Sequence, residues 1–176
     1  MAYHGGALER ATDLVAHEVA ERTGASCYSV SHPDDQMHVP STAIDIDAST
    51  SLRSFFDHVL MVISMHGFGR EGLMRSVLLG GRNRDLAEHI AVELRATIGT
   101  DFDVVSDLAT IPTDLAGQHP LNPVNLPRHT GVQIELPPVL RWNREHHAWC
   151  GTPGVPLTAD LGRFIEGLST AIHRWR

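Results

Sequence analysis

His4, Glu9 and His66 are the residues whose types and spacing best support chemistry in this chain. His4 opens the run His4-Gly5-Gly6-Ala7-Leu8-Glu9, and His66 stands directly behind the apolar run 59–65. Two imidazoles and one carboxylate are the ligand set of a hydrolytic zinc ion that keeps its fourth position open for water. A further signal, Gly131-Val132-Gln133-Ile134-Glu135-Leu136, sets another carboxylate inside a strand-like run. Glu135 is then the natural general base. On a regular helix His4 and Glu9 would stand about 140° apart, so one helical segment cannot offer both as ligands. The pair Gly5-Gly6 lets His4 sit in a loop and turn back toward a first helical turn that carries Glu9.

The elements that must position these groups can be read from periodicity. Leu8, Ala11, Val15 and Val19 recur at helical spacing and stop near Gly24, which predicts an amphipathic helix. Segments 27–30 and 36–40 read as short extended pieces, followed by a Ser/Thr-rich stretch. The continuous apolar run 59–65 predicts a strand buried on both faces, with His66-Gly67 at its C-terminal end. Open α/β sheets collect functional residues at that edge. A strand at 77–79 leads into Gly80-Gly81-Arg82-Asn83-Arg84. That segment lacks the lysine and the glycine spacing of a phosphate-binding P-loop, so it reads as a tight turn into a helix. Leu86, Ile90, Leu94 and Ile98 mark that helix, strands follow at 102–105 and 131–136, and a helix at 158–175 closes the chain. A Pro- and Asn-rich loop fills 111–129. With neither repeat nor linker, strands alternating with helices imply a single three-layer α/β/α domain over residues 1–176.

Composition narrows the function classes. The net charge is −7, from 21 acids against 14 bases, and every base is an arginine. That balance argues against a nucleic-acid surface. An anionic substrate would then need guanidinium groups gathered locally, where they can hold carboxylates bidentately. Arg70, Arg82, Arg84, Arg128 and Arg141 fall in loops beside predicted strand ends, and Arg141 and Arg82 rank first for substrate binding. No run approaches the roughly 18 apolar residues of a membrane span, and no signal-peptide pattern opens the chain, so the default expectation is a cytoplasmic protein. Two cysteines, Cys27 and Cys150, do not make a disulfide scaffold. Twelve histidines are too many for histidine content alone to indicate metal. His146-His147 reads as a solvated loop, and His38 as either a partner of a ligand or a surface residue.

Read in order, His4-Gly5-Gly6-x-x-Glu9, His38-Val39-Pro40-Ser41, Met65-His66-Gly67, Gly80-Gly81-Arg82-Asn83, Asn122-x-x-Asn125 and Gly131-Val132-Gln133-x-Glu135-Leu136 resemble the poly-gamma-glutamate hydrolase family. The resemblance runs from His4 to about Arg141. Members are zinc-dependent enzymes of bacteria and phages, sometimes labelled phage-related replication proteins. The resemblance implies a zinc-carboxypeptidase-like fold with a mixed, largely parallel central sheet. It also implies a single Zn2+ on His4, Glu9 and His66, with Glu135 as base by analogy with carboxypeptidases. Arg82, Arg128, Arg141 and Asn125 are the expected substrate contacts, although Asn122 and Asn125 could equally cap turns imposed by Pro120, Pro123 and Pro127. The family leads into its first histidine with a buried strand. Only three residues precede His4 here, so that strand is expected to be absent or to start upstream.

Such a centre would bring the pKa of bound water to ~7 and polarise a carbonyl, while Glu135 moves the proton to the leaving amine. The expected activity is cleavage of amide bonds in γ-linked polyglutamate or a related acidic peptide. A carboxypeptidase or N-acyl amino acid deacylase of the same fold is one alternative. A non-catalytic protein that binds an anionic polymer is another.

Overall fold

Alternation of side chains along four strands decides which face of the sheet carries the chemistry. The computed structural model describes residues 1–34 and 36–175. Its central sheet has the order β3 (Val62–Gly67), β6 (Gly131–Leu136), β4 (Ser76–Leu79), β5 (Asp103–Val105). β3 runs parallel to β6 and β4 parallel to β5, but β4 is antiparallel to β6, so the sheet is mixed. β1 (Ala2–Gly6) pairs in parallel with β2 (Ser29–His32). The pair continues the main sheet, because the Met1 nitrogen donates to the Ile63 carbonyl (2.6 Å) and the Met65 N–H donates to the Met1 carbonyl (2.8 Å).

Met65, Val77, Leu79, Val132, Ile134 and Leu136 point to one face. There they pack with α1 (Thr12–Thr23), α3 (Arg84–Ile98), the one-turn α4 (Pro138–Arg141) and α5 (Ala159–Arg174) in the main core. Asn83 and Thr158 cap α3 and α5 by accepting from Leu86 N and Leu161 N, and α1 ends at Gly24 in the left-handed conformation. The alternate residues Val62, Leu78, Gln133 and Glu135 must face the other way. That face is covered by α2 (Thr50–His58), whose Phe55 and Phe56 pack near Val62 and Tyr3, and by the loop segments holding Ile111, Ala116 and Val124. The three layers are therefore unequal. Among the described residues one side is closed by α1, α3, α4 and α5 and the other by α2 and loops, which leaves room for a cleft.

Several expectations need correction. His4 lies inside β1 rather than in a loop, so a strand carrying the first histidine is present. The first helix starts at Thr12, and Glu9 sits in the turn before it. β2 begins two residues later than read, 36–40 forms no strand, and α2 occupies part of the stretch read as polar. His66 lies within β3, not after it. Among the described residues no helix is long and apolar enough to cross a membrane.

Candidate active site

The turn from β1 to α1 brings the first two groups together. Gly6 turns the chain with φ 68°, and a side chain there would run into the His32 backbone, so glycine is required. The chain then closes on itself, with Glu9 N donating to the His4 carbonyl (2.9 Å) and Thr12 Oγ1 donating to the Glu9 carbonyl (2.7 Å). The β1–β2 register shifts between Ala2 and Gly5, the interval that contains His4. Such irregularities re-aim side chains near active sites.

Glu9 is the hub. His4 Nδ1 lies 3.0 Å from its Oε1, His66 Nδ1 lies 3.3 Å from its Oε2, and His38 Nε2 lies 3.2 Å from Oε1. The Gly67 N–H also donates to Oε2 (3.0 Å). Burial alone would raise the Glu9 pKa. The His66 charge and the hydrogen bonds from His38, His4 and His66 overcome it and hold the carboxyl well below the usual range. His66 is pulled the other way: burial opposes its protonation, but Glu9 and Glu135 raise it. Burial lowers His4, and the bond to Glu9 raises His38.

Glu135 comes from the neighbouring strand. It stands opposite His66 in the parallel β3–β6 register, and period two puts it on the same face as Gln133. Burial pushes its carboxyl up to about 7, partly offset by the nearby His66 charge. A carboxylate that titrates near neutrality is matched to general-base work. His4, Glu9, His66 and Glu135 all line one cavity of about 420 Å³, together with His38, Ser41, Asp114, His119, Asn122 and Gln133.

His4, Glu9 and His66 offer ligand atoms that lie within 4.8 Å of one another, and all three residues are buried. The donor set suits a divalent cation. Three imidazoles and a backbone N–H crowd one carboxylate, and His4 Nε2 is buried without a hydrogen-bond partner.

The expected substrate contacts fall elsewhere. Among the described residues no arginine lines the cavity. Arg141 is buried, donating from Nε to the Leu136 carbonyl (3.1 Å), from Nη1 to the Arg10 carbonyl (2.7 Å) and from Nη2 to the Phe68 carbonyl (3.2 Å). Its guanidinium also lies 5.2 Å from the Trp149 ring, and burial lowers its pKa to about 10. A Cβ at Gly67 would fall 2.6 Å from Arg141 Nη1, so the glycine makes way for the guanidinium. Arg141 is thus committed to tying chain segments together. Asn125 is similarly occupied, donating to the Gly117 (2.7 Å) and His119 (3.0 Å) carbonyls and accepting from Arg82 N (3.0 Å). Arg82 and Arg128 are exposed, outside the cavity lining. Arg70 reaches the lining indirectly through its pair with Asp114, and Arg141 does so through the Phe68 carbonyl and Gly67 behind the cavity wall.

Tyr3 and Gln133 were not anticipated as functional residues. Tyr3 packs edge-on against both His4 and His66, at ring separations of 4.8 and 5.0 Å. The one available signal for Gln133 was its position two residues before Glu135 on the same strand face.

No curated protein matches the chain. Among solved structures, a bacteriophage poly-gamma-glutamate hydrolase superposes with a TM-score of 0.79 at 22% identity, over 97% of this chain and 80% of that one. The zinc-free structure of YNDL gives a TM-score of 0.78 at 22% identity, over 98% of this chain and 82% of the other. These likenesses establish the shared fold. The family model for poly-gamma-glutamate hydrolase matches residues 1–147, a stretch that contains the whole cavity described above. On that match, this chain is a member of the poly-gamma-glutamate hydrolase family and a hydrolytic enzyme.

Proposed function

We propose that the whole chain acts as one catalytic domain that cleaves amide bonds of γ-linked polyglutamate, using a single zinc ion held by His4, Glu9 and His66 and Glu135 as general base. The observation that carries this reading is the convergence of the three candidate ligands within 4.8 Å, in the cavity that Glu135 also lines. When bound, the cation supplies Lewis acidity and makes water easier to deprotonate. Glu135 takes the proton of the attacking water on a carboxylate oxygen and returns it to the departing amide nitrogen. Its burial favours both halves of that cycle, since a carboxyl that titrates near 7 accepts and releases protons with little driving force wasted. Ser41, His38 and His119 line the cavity and offer donors to an acidic polymer, with no arginine among the described lining residues.

Purified protein assayed for bound metal and for polymer chain length tests the reading. The expected result is about one zinc per chain and shortening of poly-γ-glutamate that a chelator stops. His66→Ala should lose both metal and activity. Shortening that persists in that variant and in chelator would overturn the metal assignment.

A further inference from the structure

An unbroken line of buried side chains joins Glu135 to the ligand cluster, and its direction can be worked out atom by atom. Gln133 Nε2 donates to Glu135 Oε1 (2.8 Å) and to the Leu115 carbonyl (3.3 Å). Asn122 Nδ2 donates to Gln133 Oε1 (2.8 Å). The Tyr3 hydroxyl donates to Asn122 Oδ1 (3.3 Å), and the same hydroxyl lies 3.2 Å from His66 Nε2.

Two backbone groups fix the polarity. A carbonyl only accepts, so the Gln133 atom facing Leu115 O must be nitrogen. A backbone N–H only donates, so the Asn122 atom accepting from Val124 N (3.2 Å) must be oxygen. With both amides oriented, the sole hydrogen available between Tyr3 and Asn122 is that of the tyrosine. Its oxygen is then left to accept, and His66 Nε2 must be the donor. Tyr3, Asn122, Gln133, Glu135 and His66 are each no more than 4% exposed. A reversed bond in such surroundings leaves two buried acceptors or two donors facing each other, which is costly.

We propose that Tyr3, Asn122 and Gln133 form a one-way hydrogen-bond relay that holds His66 as the Nε2–H tautomer, so that Nδ1 presents a lone pair to the cation. The inference rests on the zinc reading above. All three are positioning residues, since they act through His66 and Glu135. His66 Nδ1 already faces the cluster, 3.3 Å from Glu9 Oε2. A proton on Nδ1 bridges the two groups when no cation is bound, and a bound cation would take that proton's place. Partners of this kind set ligand orientation and basicity.

Tyr3→Phe removes the hydroxyl and keeps the ring that packs on both histidines. Zinc affinity, measured by competition with a chromogenic chelator, should weaken about 10- to 100-fold. In zinc-loaded, 15N-labelled protein the His66 Nε2–H should give a downfield, slowly exchanging proton signal, and Tyr3→Phe should move it upfield and speed its exchange. Unchanged affinity together with an unchanged signal would overturn the relay. Should Tyr3→Phe fold poorly, Asn122→Leu serves in its place: it removes the acceptor that turns the Tyr3 hydroxyl away from His66 and keeps the volume. That variant should weaken zinc affinity and move the His66 proton signal as Tyr3→Phe does, and no change in either would equally defeat the proposal. His66→Ala separates the two readings. Zinc retained by that variant overturns the metal site and the relay with it, whereas zinc lost there but held normally by Tyr3→Phe overturns the relay alone.

Discussion

The two walls of the cavity each present a buried glutamate, and the fold treats them oppositely. On the turn before α1, Glu9 is surrounded by His4, His38, His66 and the Gly67 N–H and is held ionised. On the sheet floor, Glu135 has Gln133 as its side-chain donor and titrates at about 7. Desolvation acts on both. The His66 charge lowers both, but Glu9 adds bonds from three imidazoles whereas Glu135 is raised further by Glu9; under the proposed function the permanently charged carboxylate suits ligation and the one poised near neutrality suits proton transfer.

Exchanging each carboxylate for its amide is the strongest way to break this division. Glu9→Gln should lose zinc and reduce polymer cleavage on the order of 10⁴-fold, as expected when Lewis-acid stabilisation is removed. Zinc content near wild type in that variant would put the ligand role elsewhere. Glu135→Gln should keep zinc and KM while kcat falls roughly 10²- to 10⁴-fold; turnover at the wild-type rate would remove Glu135 from the proton path. Arg141→Met asks whether the cation beside both walls is structural. Three carbonyls would lose their donor, costing roughly 3–5 kcal/mol and lowering Tm by about 10 °C, with KM unchanged. A raised KM at unchanged Tm would restore Arg141 as a substrate contact.

The smallest effect concerns pH. In metal-free protein the Glu135 pKa is raised from 4.5 to about 7. Its contribution to stability is therefore fully present below pH 4.5 and is lost as pH rises through 7. Glu135→Gln does not titrate, so between these limits its stability should gain about 3 kcal/mol relative to wild type. Glu9, depressed in both proteins, cancels from the comparison. Paired thermal melts across that range check it, and a constant offset would mean that Glu135 ionises like an exposed carboxylate.

Much of this arrangement was legible in the chain. The strand 131–136 and the helices around Leu94 and Leu168 follow directly from period two and period 3.6. His4, Glu9, His66 and Glu135 were readable as a set because ligand chemistry restricts the choice of residue type. What stayed hidden depends on long-range contact. Nothing local distinguishes an arginine aimed at substrate from one buried against three carbonyls, so Arg141 reads as a binding group, and Asn125 as either a substrate contact or a turn cap. Tyr3 and Gln133 matter through partners 119 and 11 residues away. α2 was readable in principle, since Leu52, Phe55 and Phe56 follow a Ser49 cap at helical spacing, but the polar residues between them masked it.

The bond from Arg141 to the Arg10 carbonyl spans 131 residues, and it braces the turn that carries Glu9. At a ribosomal pace of 5–20 residues per second, that turn waits roughly 7–26 s for its brace to be translated. The turn that carries Glu9 is made well before the segment that braces it, so its final placement waits for Arg141. Metal loading should accordingly follow synthesis of the Arg141 segment rather than seed folding of the nascent chain.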